Sequence, residues 1–203
     1  MLSFISNGGV ILYIIVGLSI IAIALIIERG LFYYSKRERD KELLTRVKEG
    51  IINNKLEELY ESQSKDISPE WVMIKRGLEF INSEREKLNH EMEMSAIREM
   101  KQLEKNVSYL SNIANIATLL GLLGTVTGMI ISFFNMKVSG VSDPAILAGG
   151  IAQALITTAA GLSVAIPSLF FYHLFSQIVN NHASKMEMYS SELINFILEN
   201  RLW

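Results

Sequence analysis

The chain has 203 residues, half of them hydrophobic, with no cysteine and a formal net charge of -2. Disulfide scaffolds and thiolate metal sites are thereby excluded, and no nucleic-acid partner is expected. The charge is also unevenly spread: residues 1–27, 106–136 and 144–184 contain no Asp, Glu, Lys or Arg, and each run exceeds the roughly 18 to 20 residues that cross a hydrocarbon core of about 30 Å.

The first element, residues 1–27, has its apolar core at 10–27. Its start lacks a basic region and no small-residue cleavage site follows, so it reads as a permanent anchor rather than a signal peptide. Arg29, Lys36, Arg37, Arg39 and Lys41 crowd its far end. The positive-inside rule then places that end in the cytoplasm and the N-terminus outside.

Residues 28–112 form the expected cytoplasmic region, with 16 of the 19 Lys and Arg residues. It reads as helices with one break, at Ser68-Pro69-Glu70, where a capping-type serine precedes a proline at a first helical position. From residue 84 a helical pattern begins. Met94, Ile97, Met100, Leu103, Val107 and Leu110 recur at three- and four-residue steps, predicting one apolar face, with Arg98, Lys101, Glu104 and Lys105 on the solvated side. No Pro or Gly interrupts residues 84–120, so this helix is expected to continue unbroken to residue 136, on the order of 80 Å.

The second span is placed at 113–136, a short outer loop at 137–145, the third span at 146–172 and a cytoplasmic C-terminal helix at 173–203. The fold class that follows is an all-α membrane protein with three transmembrane helices, the second and third extending into a cytoplasmic helical bundle. Little of it faces outward, which disfavours a receptor or an external enzyme.

No phosphate-binding glycine loop ending in Lys-Ser or Lys-Thr is present. The stretch from His90, "HEMEM", places Met94 where a zinc protease helix needs its second His. His90, His173 and His182 are read as surface or interfacial residues. No catalytic residue, cofactor or metal site is expected, and the chain is not read as an enzyme.

The informative chemistry lies inside the second and third spans. Gly124 and Gly128 form a GxxxG pair with Gly121 one turn earlier. Gly150, Ala154, Thr157, Thr158, Gly161, Ala165 and Ser168 fall within about 100° on a helical wheel. Small residues let membrane helices approach closely, within one chain or between copies. A threonine hydroxyl can satisfy itself on the preceding turn, whereas an unpaired glutamine amide costs several kcal/mol in hydrocarbon. Gln153 should therefore face protein or a wet cavity, and with Thr125, Thr157 and Thr158 it gives two helices a modest polar lining. Hydroxyls and an amide can hold water or an ion, but they cannot carry a proton as a titrating site. Proton relays use Asp, Glu or His, and the cores of these spans have none, so another chain must supply the acid.

Three stretches, "GGVILYIIVGLSIIAIALIIER", "LSNIANIATLLGLLGTVTGMI" and "GIAQALITTAAGLSVAIPSLFFY", resemble in order and separation the ExbB/TolQ proton-channel family, distantly related to the flagellar stator subunit MotA, and are most like ExbB. The resemblance implies a bacterial inner-membrane subunit forming a homopentamer around the helices of two copies of an ExbD- or TolR-like single-span partner. An aspartate on that partner would titrate, and ion flow would energise an outer-membrane process through a TonB- or TolA-like protein. Each charge falling through 100 mV releases about 2.3 kcal/mol. The family's pore threonines correspond to Thr125 and Thr158. Two positions depart from its pattern: Gln153 stands where a glutamate is common, and Thr118 where a proline is frequent. The first departure leaves the partner's acid as the carrier of H+ or Na+. The residues by themselves leave a second reading open, a scaffolding membrane oligomer that uses the same glycine faces only for assembly. A TolQ-like role in envelope maintenance also fits.

Overall fold

The computed structural model describes residues 9–36, 42–63, 67–139 and 144–200. The chain's first eight residues, the basic residues Arg37, Arg39 and Lys41, residues 140–143 of the expected outer loop and the last three residues lie outside the described residues. Among the described residues the chain is helical, without strands. The helices are α1 (Gly9–Ser35), α2 (Leu43–Ile52), α3 (Leu56–Ser62), α4 (Pro69–Glu79), α5 (Arg85–Glu104), α6 (Val107–Ser139) and α7 (Pro144–Glu199). Three helical stretches are long and apolar enough to cross a membrane, and their apolar parts are α1, α6 and the first half of α7.

The chain divides into two compact units, Met1–Arg29 with Asn106–Phe175, and Gly30–Lys105 with Ser176–Trp203. The first is apolar. Leu12, Ile15 and Ala22 put one face of α1 inside it, at the steps of three and seven residues that fall on one side of a helix. Ala114 and Ala117 of α6 meet Ala165 of α7 in a cluster of small side chains. Large apolar groups such as Leu119, Ile130, Phe134, Leu155, Ile166 and Phe170 point outward, which in water would be an aggregation hazard and in lipid is the stable arrangement.

The second unit carries the charge and has a core of its own. Leu43 and Val47 of α2, Trp71 and Ile74 of α4, Leu88 and Met92 of α5, and Met186 and Leu193 of α7 are buried together. Ser68 caps α4, its Oγ accepting from Trp71 N at 3.4 Å, and Pro69 opens the helix. Gly77 permits α4 to lie on α5, since a Cβ there would be 2.7 Å from Met92 Sδ. The region expected to have one break has several, and the turn after α2 holds Asn54 at φ 52°.

Three expectations are corrected. The helix from residue 84 is not continuous: it stops at Glu104 and restarts at Val107, with Asn106 at φ 64°. Asparagine is one of the few side chains that tolerates this left-handed backbone, so neither Gly nor Pro was needed to break the helix. One carbonyl of the freed end finds a distant partner: Leu103 O, one of the four that a helix leaves without an internal partner, accepts from the Tyr33 hydroxyl at 2.6 Å.

The apolar face of α5 is also rotated from the expected one. Leu88, Met92, Ser95, Glu99 and Leu103 are buried, while Met94 and Ile97 are 37% and 52% exposed. Buried Glu99 is held by Lys36 at 3.0 Å, an ion pair that let a charged residue take an interior position.

Finally, His182 is neither at the surface nor at a free interface. It is buried, and its Nδ1 lies 2.7 Å from Oε1 of Glu70, which is itself fully buried in the first turn of α4. The two residues are 112 positions apart, and nothing in their local sequence context announces the pair.

Candidate functional site

Most of the polar and small residues singled out in the two apolar helices, Gln153 excepted, come together along one antiparallel seam between α6 and α7. Its order is set by glycine. A Cβ on Gly161 would sit 2.5 Å from the Ala117 carbonyl and 3.1 Å from Gly121 Cα. One on Gly121 would meet Thr158 Cα at 3.2 Å, one on Gly124 would meet Thr157 Cβ at 2.5 Å, and one on Gly128 would meet Ala154 Cβ at 3.0 Å. At the far end Gly150 receives Ser132, whose Oγ occupies the space a Cβ would need. Ala154, Thr157, Gly161, Ala165 and Ser168 are buried along the same line. The glycines of α6 and those of α7 therefore serve each other within one chain.

The hydroxyls differ in what they bind. Thr157, 1% exposed, bonds back to Gln153 O at 2.8 Å and Ala154 O at 3.1 Å. Thr158 crosses the seam and donates to Gly121 O at 2.9 Å, so its hydroxyl fastens one helix to the other. Thr125 donates to Leu122 O of its own helix at 2.6 Å and is half-buried at the shoulder of the seam. Thr127 bonds back to Leu123 O at 2.9 Å, on a different side of the helix. Ser132 went unnoticed in the sequence. It is 2% exposed and donates to Gly128 O at 2.8 Å, and the sign was its place one turn beyond Gly128 in the 121, 124, 128 series.

Gln153 stands apart from these. Its Nε2 is the nearest atom, at 3.3 Å, to a Cβ built on Gly9, whose φ of 66° favours glycine. The side chain is half-buried and its amide has no hydrogen-bond partner among the described residues. In an apolar medium such a group needs water or another protein. Thr118, at the other departure from the pattern, bonds back to Ala114 O at 2.9 Å within a continuous α6.

At one end of this unit Glu28 and Arg29 form a pair, Arg29 Nε donating to Glu28 Oε2 at 2.9 Å, with Arg29 buried. Asn106 Nδ2 donates to the same Glu28 oxygen at 3.3 Å, tying the helix break to the end of the first apolar run. No group of three or more His, Cys, Asp or Glu side chains converges among the described residues. The seam can therefore accept hydrogen bonds and coordinate through oxygen, but it holds no group that changes charge.

Residues 65–188 match the MotA/TolQ/ExbB proton channel family. The chain belongs to that family. An ExbB-like biopolymer transport protein of Synechocystis sp. is 30% identical over 192 residues, 92% of this chain and 75% of that relative. The biopolymer transport protein ExbB of Xanthomonas campestris is 30% identical over 114 residues, 56% of this chain and 45% of its own length. The Tol-Pal system protein TolQ of Pseudomonas aeruginosa is 35% identical over 85 residues, 42% of this chain and 37% of its own length. The chain is thus a membrane protein of the ExbB/TolQ kind, and it spans less than half the length of the latter two relatives.

Proposed function

We propose that this chain is the channel-forming subunit of an ion-driven motor in a bacterial inner membrane, using the proton or sodium motive force to energise TonB-dependent transport across an outer membrane. The observation that carries this reading is the chemistry of the α6–α7 seam. Its hydroxyl protons are committed to carbonyls, Thr125 to Leu122 and Thr158 to Gly121, which leaves oxygen lone pairs for a proton donor or a cation. With Gln153 in place of a glutamate, the titrating carboxyl comes from a partner, a single-span protein of the ExbD or TolR type. A TonB- or TolA-like protein takes up the work.

The chain assembles with copies of itself, as a pentamer, around that partner. Its N-terminus is periplasmic and its C-terminus cytoplasmic, so that the charged unit lies in the cytoplasm and residues 137–145 outside. Residues 1–27, 113–136 and 146–172 are the membrane segments, and 28–112 and 173–203 are cytoplasmic. The scaffolding alternative is weakened by the intrachain use of the seam. Glycines spent on Thr157, Thr158 and Ala154 of the same chain are not free to assemble neighbours.

Thr125→Val is the cleaner test of the ion path. Its hydroxyl serves only its own helix, so an isosteric loss leaves the seam intact and removes oxygen alone. The reading expects gradient-dependent uptake in cells to fall at least tenfold while the complex assembles at normal yield. Thr158→Val also removes the cross-seam bond, so Thr158→Ser accompanies it and restores function if the hydroxyl is what matters. Unchanged uptake in Thr125→Val with an assembled complex sinks the assignment.

A further inference from the structure

The charged unit carries two surfaces that its own fold leaves without partners, and both involve α5. The first is a groove of about 810 Å³ between α5 and residues 183–195 of α7, floored by Met92, Met100 and Met186. Glu86, Glu93 and Glu187 stand along it, with Arg85 as the one basic group among the lining residues. The second is a ridge on another side of α5, where exposed Met94 and Ile97 are flanked by Arg98, Lys101 and Lys105. At 100° per residue these five positions share an arc of about 100°, centred about 130° from the arc of the groove.

Lys36, Lys48, Lys55 and Arg76 each meet a carboxylate. By contrast Glu86, Glu93 and Glu187 on the groove, and Arg98, Lys101 and Lys105 on the ridge, have no ion-pair or hydrogen-bond partner among the described residues. Exposed carboxylates without such a partner also occur elsewhere in this unit, at Glu49, Glu57 and Glu61, so what sets these charges apart is the apolar groups they flank. An apolar floor edged by unpaired acids matches an apolar crest edged by unpaired bases. Methionine suits such a floor, since its unbranched thioether fills irregular gaps.

We infer that the ridge of one copy of this chain seats in the groove of the next. The deduction rests on the self-assembly proposed above and adds the surfaces that carry it. The two features overlap along α5 and the residue after it, 85–100 and 94–105, with centres about 10 Å apart, so copies oriented alike in one membrane bring them close to register. The two faces differ, which makes the contact head-to-tail. Repeated by rotation about the membrane normal, a head-to-tail contact closes into a ring. It also supplies the interchain adhesion that the glycine seam, consumed inside the chain, does not.

The absence of cysteine makes every introduced thiol unique. Full-length Ile97→Cys and Ser191→Cys chains, the latter at an exposed groove position, are co-expressed with different tags and treated in native membranes with a short bismaleimide. Mixed dimers carrying both tags are expected, at least fivefold more abundant than dimers from either variant alone. Lys101→Glu or Glu93→Lys should each reduce the mixed dimer several-fold, and the two reversals combined should restore it. The surfaces are wrong if Ile97→Cys links to itself as readily as to Ser191→Cys, if the groove thiol captures a different protein instead, or if the chain extracts as an oligomer without the mixed link. A chain that extracts as a monomer under mild detergent overturns the self-assembly reading as well.

Discussion

Gly161→Ala perturbs the seam at the point where nothing can yield. Its new Cβ would lie 2.5 Å from the Ala117 carbonyl oxygen and 3.1 Å from Gly121 Cα, both backbone atoms that no rotamer change moves. Non-bonded contacts settle near about 3.5–4.0 Å, so α6 and α7 must part by roughly 1 Å at that level. A gap of that size forfeits about a quarter to a half of the attraction in every contact it opens. It also takes Thr158 Oγ1 from 2.9 Å to roughly 3.9 Å from Gly121 O, out of hydrogen-bond range. Overpacking costs about 1–3 kcal/mol and an interhelical membrane hydrogen bond about 0.6 kcal/mol, together roughly 1.5–3.5 kcal/mol. Reversible unfolding in detergent measures this, with Gly149→Ala as the control because a Cβ there meets nothing within 4 Å. Gly161→Ala should lose that amount less up to about 1 kcal/mol from better helix propensity, while the control, with the same propensity gain and no clash, should hold or gain up to about 1 kcal/mol. Equal stability of the two variants would refute the close seam.

The buried Glu70–His182 pair predicts a strong asymmetry between single and double replacement. His182→Leu leaves buried Glu70 without its hydrogen-bond partner and should cost about 1–3 kcal/mol, whereas His182→Leu with Glu70→Met should recover most of it, as seen by thermal melting. At the helix break, Asn106→Val forces a β-branched residue to φ 64° and should cost about 1–2 kcal/mol. Asn106→Gly should be close to neutral on the same melting curve.

The apolar helices were legible because lipid and helix geometry impose one pattern. Charge-free runs announced three long helices, and the 121, 124, 128 spacing announced a small-residue face. What α6 pairs with was not legible. A glycine face serves a neighbouring copy as well as a neighbouring helix, and only the approach of Gly124 to Thr157 and of Gly161 to Ala117 separates the two. In the charged unit periodicity misled, because Met94 and Ile97 satisfied a helical spacing while Ser95 and Glu99 took the buried side. An apolar pattern identifies a face that avoids water, and a ridge that docks on another protein has the same composition as a core. Glu70 and His182 were hidden for another reason: they form a pair only after residues 112 positions apart are brought together. The break at Asn106 carries neither Gly nor Pro; Asn also enters the left-handed region, and it does so here without any other sign in the sequence.

In the function proposed above, this chain supplies the path and another chain supplies the titrating acid. Proton flux into liposomes under an imposed gradient, with the chain reconstituted alone and with the single-span protein proposed as its partner, distinguishes the two contributions. Flux is expected only when both are present, and it should vanish when the partner's membrane carboxylate is replaced by its amide. Equal flux from the chain alone would contradict this division, since no group in the α6–α7 seam changes charge.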